Sequence, residues 1–370
     1  MTAKPSLAAR LDAVIDAAVA EGRIVGTVVM VAEGGAIAYA RAAGHADREA
    51  GVATRDDTIF RLASVTKPMV AATALSLAED GVIGIDDPVT RFLPAFRPKL
   101  ADGSTPVITI RQLLTHTSGL IYGYDPASGI CEGIAGPSIG MAENIARIAS
   151  QPLAFAPGSD FRYSVAIDVL GGLLEQAAGA SLPDLVAAKV TGPLGLADTE
   201  FFPSKPERLA TAYADGAAAA VRMEDPHVVS NGELGVTFSP GRAFDRATFA
   251  SGGAGMVGTA PDFLAFLEAL RSGGAPILSP ASIALLSANA VGGFNTGVFG
   301  RGFSLGWSIF EDPAASGAPV SPGTWAWGGV YGHSWFVDPA RALSVVSFSN
   351  TALAGVGGAY PTAIRDAVYG

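Results

Sequence analysis

The 370-residue sequence is poor in cysteine, in basic residues and in long apolar runs, and each shortage excludes a class of protein. Its single cysteine, Cys131, excludes an intramolecular disulfide. Lysine and arginine number 24 against 34 acidic residues, and the net charge of −10 favours neither nucleic acid nor an anionic membrane as a partner. No apolar run reaches the ~20 residues of a membrane helix, and charges interrupt residues 1–16 where a signal peptide would be apolar. We therefore expect a soluble, cytoplasmic protein.

Histidine is scarce as well. Four scattered histidines and one cysteine do not form the clustered ligand sets that metal hydrolases need, so we expect no metal and no cofactor. Hydrophobic residues make up 49% of the chain and charged residues only 16%. This composition is typical of an ordered protein with a large buried core.

Strand patterns lie at the two ends of the chain and helical patterns fill its middle. Runs of β-branched and apolar residues predict strands at 24–32, 36–43, 58–62, 304–310, 324–328, 334–337 and 343–350. Apolar residues at helical spacing predict helices at 7–20, 65–79, 110–115, 142–150, 167–178, 182–190, 261–270, 280–286 and 360–369. Glycine- and proline-rich loops are predicted at 123–140 and 213–241.

This order predicts an α+β fold in which one antiparallel sheet is assembled from both chain ends, with flanking helices. Residues 1–63 and 288–370 would form the sheet domain, and residues 64–287 a mostly helical insertion. Ligand sites favour such junctions, so we expect the functional cleft between the two parts.

A serine and a lysine at helical spacing carry the first chemical signal. Ser64 and Lys67 open a predicted helix, and residues three apart share a helix face. A serine hydroxyl becomes a good nucleophile when a neighbouring base takes its proton, and a buried amine can serve as that base. Taken alone, the spacing favours an N-cap serine followed by a surface lysine.

Four segments in order resemble motifs of the serine β-lactamase and penicillin-binding protein superfamily. They are RLASVTKPM at 61–69, IRQLLTHTSGL at 110–120, GGAGMV at 252–257 and WGGVYGHSW at 327–335. The resemblance implies a β-lactamase-like fold and makes Ser64 the nucleophile of an acyl-enzyme mechanism. It further implies that Tyr163, in the sequence YSV, joins Ser64 and Lys67, and that the backbone N–H groups of Ser64 and Val330 form the oxyanion hole. Whether Lys67 or Tyr163 acts as the base stays open.

Two departures from the family pattern point to the substrate. Penicillin-recognising members have Asn at the position of Val165 and Lys at that of Trp327. Losing an amide and a cation favours a neutral ester over a lactam or peptide carboxylate. The chain thus resembles the class C-like family VIII carboxylesterases, which implies a small-molecule ester as partner. Acyl transfer and β-lactam or D-amino-acid peptide hydrolysis are alternatives on the same fold, as is a non-catalytic binding or assembly protein.

Further residues are candidates for substrate contact. Gly328 and Gly329 let a substrate approach the strand closely, and Trp327 adds an apolar wall. The other candidates are Tyr122, Asp168 and His333. For each of these three, a packing or surface role is the alternative.

Two G-x-S-x-G matches offer a rival nucleophile. They are GPSIG around Ser138 and GFSLG around Ser304. The nucleophile elbow of α/β-hydrolases needs a strand before its serine and a helix after it, and neither segment has both. With 46 glycines, chance matches are expected. The sequence leaves the oligomeric state open.

Overall fold

A computed structural model describes residues 5–231 and 234–370 of the chain. Its strands are β1 (Gly26–Glu33), β2 (Ala36–Asp47), β3 (Val52–Ala53), β4 (Phe60–Arg61), β5 (Tyr213–Ala214), β6 (Val221–Arg222), β7 (His227–Asn231), β8 (Leu234–Phe238), β9 (Val257–Gly258), β10 (Arg301–Phe303), β11 (Ser308–Phe310), β12 (Trp325–Gly329), β13 (His333–Asp338), β14 (Leu343–Ser349) and β15 (Thr351–Ala352). Its helices are α1 (Leu7–Ala20), α2 (Thr66–Glu79), α3 (Ile110–Leu114), α4 (Met141–Ala149), α5 (Ala166–Ala178), α6 (Leu182–Val186), α7 (Gly192–Leu194), α8 (Ala260–Arg271), α9 (Pro280–Ser287) and α10 (Ala359–Tyr369).

Eight strands form one antiparallel sheet in the order β10-β11-β12-β13-β14-β1-β2-β3. Inside this sheet β1 pairs with β14, so the sheet is assembled from both ends of the chain. Gly34 and Gly35 turn β1 into β2 with φ values of 61° and 88°, a left-handed conformation that glycine adopts without strain. The predicted α+β fold, a sheet from both chain ends with flanking helices, is confirmed.

Both faces of this sheet are covered, as the alternation along β1 shows. Val29 and Val31 belong to the apolar cluster of α1 and α10, on what we call the outer face. Val28 and Met30 point to the inner face and pack with α8 and the helices of the middle segment. Successive side chains of a strand point to opposite faces, so an almost continuously apolar strand indicates cover on both sides.

Helix α2 runs through the centre of the inner core, with every residue from Thr66 to Leu77 buried. Such a helix presents no polar face to water, and its polar groups need partners inside the protein. The first turn of α2 therefore holds its lysine in a fixed, enclosed place.

The segment 213–241 differs from the predicted loop. It contains strands β5 to β8, with β7 and β8 paired as a hairpin; its residues 232–233 lie outside the described part of the chain. These strands have two to five residues each, too few for an alternating pattern to be recognised. The proposed division at residues 63/64 and 287/288 stays a prediction.

Candidate active site

A tight turn positions Ser64. Strand β4 pairs with β9, and a 3₁₀ turn over Ala63–Val65 leads from β4 directly into α2. Ala63 is fully buried and has a φ of 47°, which is uncommon for a residue with a side chain. Strain of this kind persists where surrounding packing over-determines the backbone. Here it presents the Ser64 side chain at the wall of a groove.

Lys67 lies one helical turn from Ser64 and is 1% exposed. Its Nζ is 3.1 Å from Ser64 Oγ, 3.2 Å from the Tyr122 hydroxyl and 2.8 Å from the Gly253 carbonyl oxygen. Three polar neighbours from three separate segments hold the nitrogen against the serine. The hydrogen bond that a serine–lysine mechanism needs is therefore present before any substrate binds.

The two tyrosines take different places from those expected. Tyr163 lines the groove, but its ring lies beneath the amine, with Lys67 Nζ 4.5 Å from the ring centroid. The Tyr163 hydroxyl is buried and bonds no group of the residues described. Tyr122, expected only as a substrate contact, supplies the hydroxyl bonded to Lys67. Burial raises the pKa of Tyr122 well above its usual value and keeps this phenol protonated.

His116 packs behind Tyr163, with its ring centroid 4.6 Å from the tyrosine ring. Burial, and next the charge of Lys67, hold the pKa of His116 well below its ordinary value. The neutral ring therefore supports the tyrosine and adds no second cation to the site.

Asp168, a candidate for substrate contact in the sequence, does not line the groove at Ser64. Its side chain is fully buried in α5, where Oδ1 accepts hydrogen bonds from Ser251 Oγ at 2.6 Å and from the Gly253 N–H at 3.0 Å. Burial raises the pKa of Asp168 although both bonds oppose that rise. The carboxyl instead anchors the loop whose Gly253 carbonyl binds Lys67. Sequence reasoning missed the roles of Ser251 and Gly253, although Gly253 belongs to the GGAGMV motif and Ser251 directly precedes it.

His333 is a second correction, because it points away from the groove. It is fully buried on the inner face, where its Nε2 donates to the Arg61 carbonyl oxygen at 2.7 Å. Its ring packs against Phe60 and Phe348, and burial lowers the pKa of His333 to about 4. The histidine thus braces strand β4, which precedes Ser64, and stays neutral at physiological pH.

Strand β12 forms the wall opposite Ser64. A Cβ on Gly329 would lie 2.3 Å from the Leu62 carbonyl oxygen, so only glycine allows this strand to pack against the nucleophile turn. Among the described residues, the backbone N–H groups of Ser64 and Val330 donate to no other group. Both residues line the same groove of about 360 Å³, with Trp327 and Gly328 beside them.

Neither rival serine has the surroundings of a nucleophile. Ser138 is exposed on an irregular segment before α4, with the Asp245 carboxylate as its partner. Ser304 is fully buried, and its hydroxyl donates to the Trp307 carbonyl oxygen at 3.1 Å. Within residues 5–231 and 234–370, no three metal-ligating side chains cluster as a metal ion requires. In the same ranges no helix combines the length and apolar character needed to cross a membrane.

Comparisons with known proteins establish the family of this chain. The beta-lactamase family model matches residues 11–369. The chain is 49% identical to the esterase EstB of Burkholderia gladioli, over 98% of this chain and 95% of that protein. The solved structure of EstCE1, described as a hydrolase with promiscuous acyltransferase activity, superposes with a TM-score of 0.94 at 44% identity, covering 98% of both chains. Simvastatin synthase from Aspergillus terreus shares the fold at 22% identity, with a TM-score of 0.78 over 99% of this chain and 98% of its own. The chain therefore belongs to the beta-lactamase family, and its resemblance to the family VIII carboxylesterases is confirmed.

Proposed function

We propose that this protein is a carboxylesterase that cleaves small and medium carboxylic esters through an acyl-enzyme on Ser64. The observation that carries the proposal is the 3.1 Å contact between Ser64 Oγ and the enclosed Lys67 amine. The relationship to EstB supports the same reaction class.

The acylation step follows from the distances. Lys67, in its amine form, takes the Ser64 proton, because of the two candidate bases only its nitrogen contacts Ser64 Oγ. Ser64 Oγ bonds to the ester carbonyl carbon, and the carbonyl oxygen becomes an oxyanion. The N–H groups of Ser64 and Val330 receive that charge, and one such donor contributes about 3–4 kcal/mol of transition-state stabilisation.

Tyr163 is assigned the proton transfer to the leaving alcohol. Its hydroxyl is buried at the groove without a partner among the described residues, so a substrate oxygen can become its partner. When the ester C–O bond breaks, the alkoxide oxygen takes the phenolic proton. Water then attacks the acyl-enzyme carbonyl and gives a proton to Tyr163. Lys67 returns its proton to Ser64 Oγ as the acid is released.

The walls of the groove favour a neutral group beside the reacting carbonyl. Val165 is fully buried and offers no polar atom to the groove. Trp327 packs its ring 5.1 Å from that of Tyr163. No amide or ammonium therefore stands at these two positions to hold a carboxylate next to the carbonyl, as lactam and peptide substrates require.

Acyl transfer is the second candidate. A relative at 44% identity is described as a hydrolase with promiscuous acyltransferase activity, and an alcohol can replace water in the second step without any change in the groups involved. We also propose that residues 64–287 form a domain separate from the sheet domain of residues 1–63 and 288–370. A cytoplasmic location is proposed because a single cysteine suits a reducing compartment.

A substrate panel tests the reaction class. We expect kcat/KM for p-nitrophenyl butyrate to exceed kcat/KM for nitrocefin and for a D-alanyl peptide by about 10²-fold or more, since a site without partners for a substrate's polar group loses several kcal/mol. Steady-state kinetics with equal enzyme concentration provide the measurement. A preference for nitrocefin would replace the esterase assignment with a β-lactamase and leave the fold unaffected.

The leaving group tests the role of Tyr163. In Tyr163→Phe, we expect kcat/KM for ethyl butyrate to fall by about 10²-fold or more, while p-nitrophenyl butyrate loses much less because nitrophenolate leaves without a proton. Tyr122→Phe is the matched control: its hydroxyl bonds Lys67, so both esters should lose activity to the same extent. Equal losses for both esters in Tyr163→Phe would show that this hydroxyl is not the proton donor.

A further inference from the structure

The groove at Ser64 continues well beyond the reacting groups. From Ser64 it passes Gly328 and follows the outer face of the sheet to the side of α10. Two cationic side chains, Arg301 and Arg365, line the same groove, and Phe310 lies beneath Arg301. The groove that contains Ser64 therefore also contains two guanidinium groups.

Among the described residues, Arg301 has no carboxylate partner. Its guanidinium carbon lies 3.8 Å from the centroid of the Phe310 ring, and its Nε is buried with no hydrogen-bond partner in the described residues. Burial, and next the charge of Arg365, lower the pKa of Arg301 to about 10, so the side chain remains a cation at neutral pH. A half-buried cation facing a second cation is costly unless an anion joins it.

Arg365 is in a different state. It is paired with Asp366 at 2.8 Å, and its side chain is 17% exposed. The Asp366 carboxylate already neutralises Arg365. The uncompensated positive charge in this part of the groove therefore belongs to Arg301. Arg301 is therefore the residue that a bound anion would contact.

The strand register gives the distance from the nucleophile. Arg301 lies opposite Phe310, and the Phe310 N–H donates to the Thr324 carbonyl oxygen at 2.8 Å. Thr324 precedes Gly328 by four residues, which is about 13 Å along an extended strand. A medium-length chain with one end at Ser64 thus brings its other end to Arg301.

We propose that Arg301 binds the anionic end group of an extended ester substrate, a carboxylate separated from the scissile ester by a medium-length apolar chain. The planar guanidinium offers the paired N–H donors that carboxylates accept, and the intervening wall of Ala326, Phe336 and Val345 suits an apolar chain. This inference rests on the proposed esterase function and adds the substrate class.

The test compares charged and capped esters of equal length. We expect kcat/KM for the p-nitrophenyl monoester of sebacic acid to exceed that of its methyl-capped counterpart by about tenfold or more, the effect of one charge-assisted hydrogen bond. A second pair places the carboxylate on the alcohol side of the ester: 10-acetoxydecanoate and its methyl-capped form. Comparing kcat/KM for cleavage of the acetate in this pair shows whether Arg301 binds a carboxylate of the alcohol or of the acyl group. Arg301→Gln should abolish whichever preference is found.

Controls separate this inference from the esterase function itself. Arg55→Gln removes an arginine whose side chain is 75% exposed and should keep the preference. Hydrolysis of p-nitrophenyl butyrate should be unchanged in Arg301→Gln; if the wild type itself fails to cleave this short ester, the proposed function falls.

The inference alone falls if the wild type cleaves the butyrate ester but does not prefer the charged ester in either series, or if Arg301→Gln keeps the preference. A measurement on the wild type alone guards against a variant that does not fold. Decanoate should inhibit butyrate hydrolysis about tenfold more strongly than decanamide, its neutral counterpart of equal length, does, and equal inhibition would overturn the inference.

Discussion

Ser64→Ala is expected to lower kcat for p-nitrophenyl butyrate by at least about 10⁴-fold, because a methyl group cannot form the acyl-enzyme and only the oxyanion donors and binding remain. The side chain is small and half-buried, so the fold should be kept. Burst kinetics and labelling with a fluorophosphonate probe provide the measurements. Wild-type protein should carry one label at Ser64, and the variant none.

Ser138→Ala is the matched control for this experiment. Ser138 is the exposed serine of a G-x-S-x-G sequence, and its loss should leave both hydrolysis and labelling intact. If Ser138→Ala abolished activity while Ser64→Ala retained it, the nucleophile would be misassigned. If the wild type took up no label at all, a binding protein on an enzyme fold would be the better interpretation.

Lys67→Met is expected to lower kcat/KM by about 10²- to 10⁴-fold, the usual contribution of a positioned base. Methionine fills a similar buried volume, so melting temperature should change much less than activity. Lys67→Arg separates the two properties of the lysine: it keeps the positive charge, but a guanidinium does not give up a proton near neutral pH.

Lys67→Met and Lys67→Arg should therefore both lose activity. Lys99→Met is the control: it changes an exposed lysine and should be as active as the wild type. Substantial activity in Lys67→Arg would show that charge alone suffices and would move the role of base to another group. A pH profile of kcat/KM for the wild type and for Tyr122→Phe completes the measurement, because Tyr122 bonds the same nitrogen.

Much of the fold could be predicted from local patterns. Helix α1 begins and ends at the predicted residues, because Ser6 caps its N-terminus and apolar residues recur at helical spacing. Strands β3 and β10 of the large sheet, with two and three residues, were missed, and the other six were recognisable because each is apolar on one face or both. Strands β5 to β8 were not, because elements this short carry no pattern and are stabilised by their surroundings.

The sequence predicted which residues lie at the site better than it predicted which hydrogen bonds they make. Ser64 and Lys67 meet because three residues span nearly one helical turn, a local relation that the sequence contains. The bond from Lys67 to Tyr122 joins residues 55 positions apart and depends on how a long loop packs. His333 appeared to be a groove residue, but the alternation along β13 turns it inward with Trp335. Only three-dimensional packing decides such questions.

The pairing of β1 with β14 has a consequence for synthesis on the ribosome. The Gly26 N–H donates to Asn350 Oδ1, a partner 324 residues further along the chain. The turn that contains Ser64 emerges early, but Val330, the proposed second oxyanion donor, is translated 266 residues later. A nascent chain can therefore contain the nucleophile for most of its translation and remain unable to acylate it. Pairing over such distances is also slow, so chaperones that shield β1 during this delay should raise the yield of active enzyme.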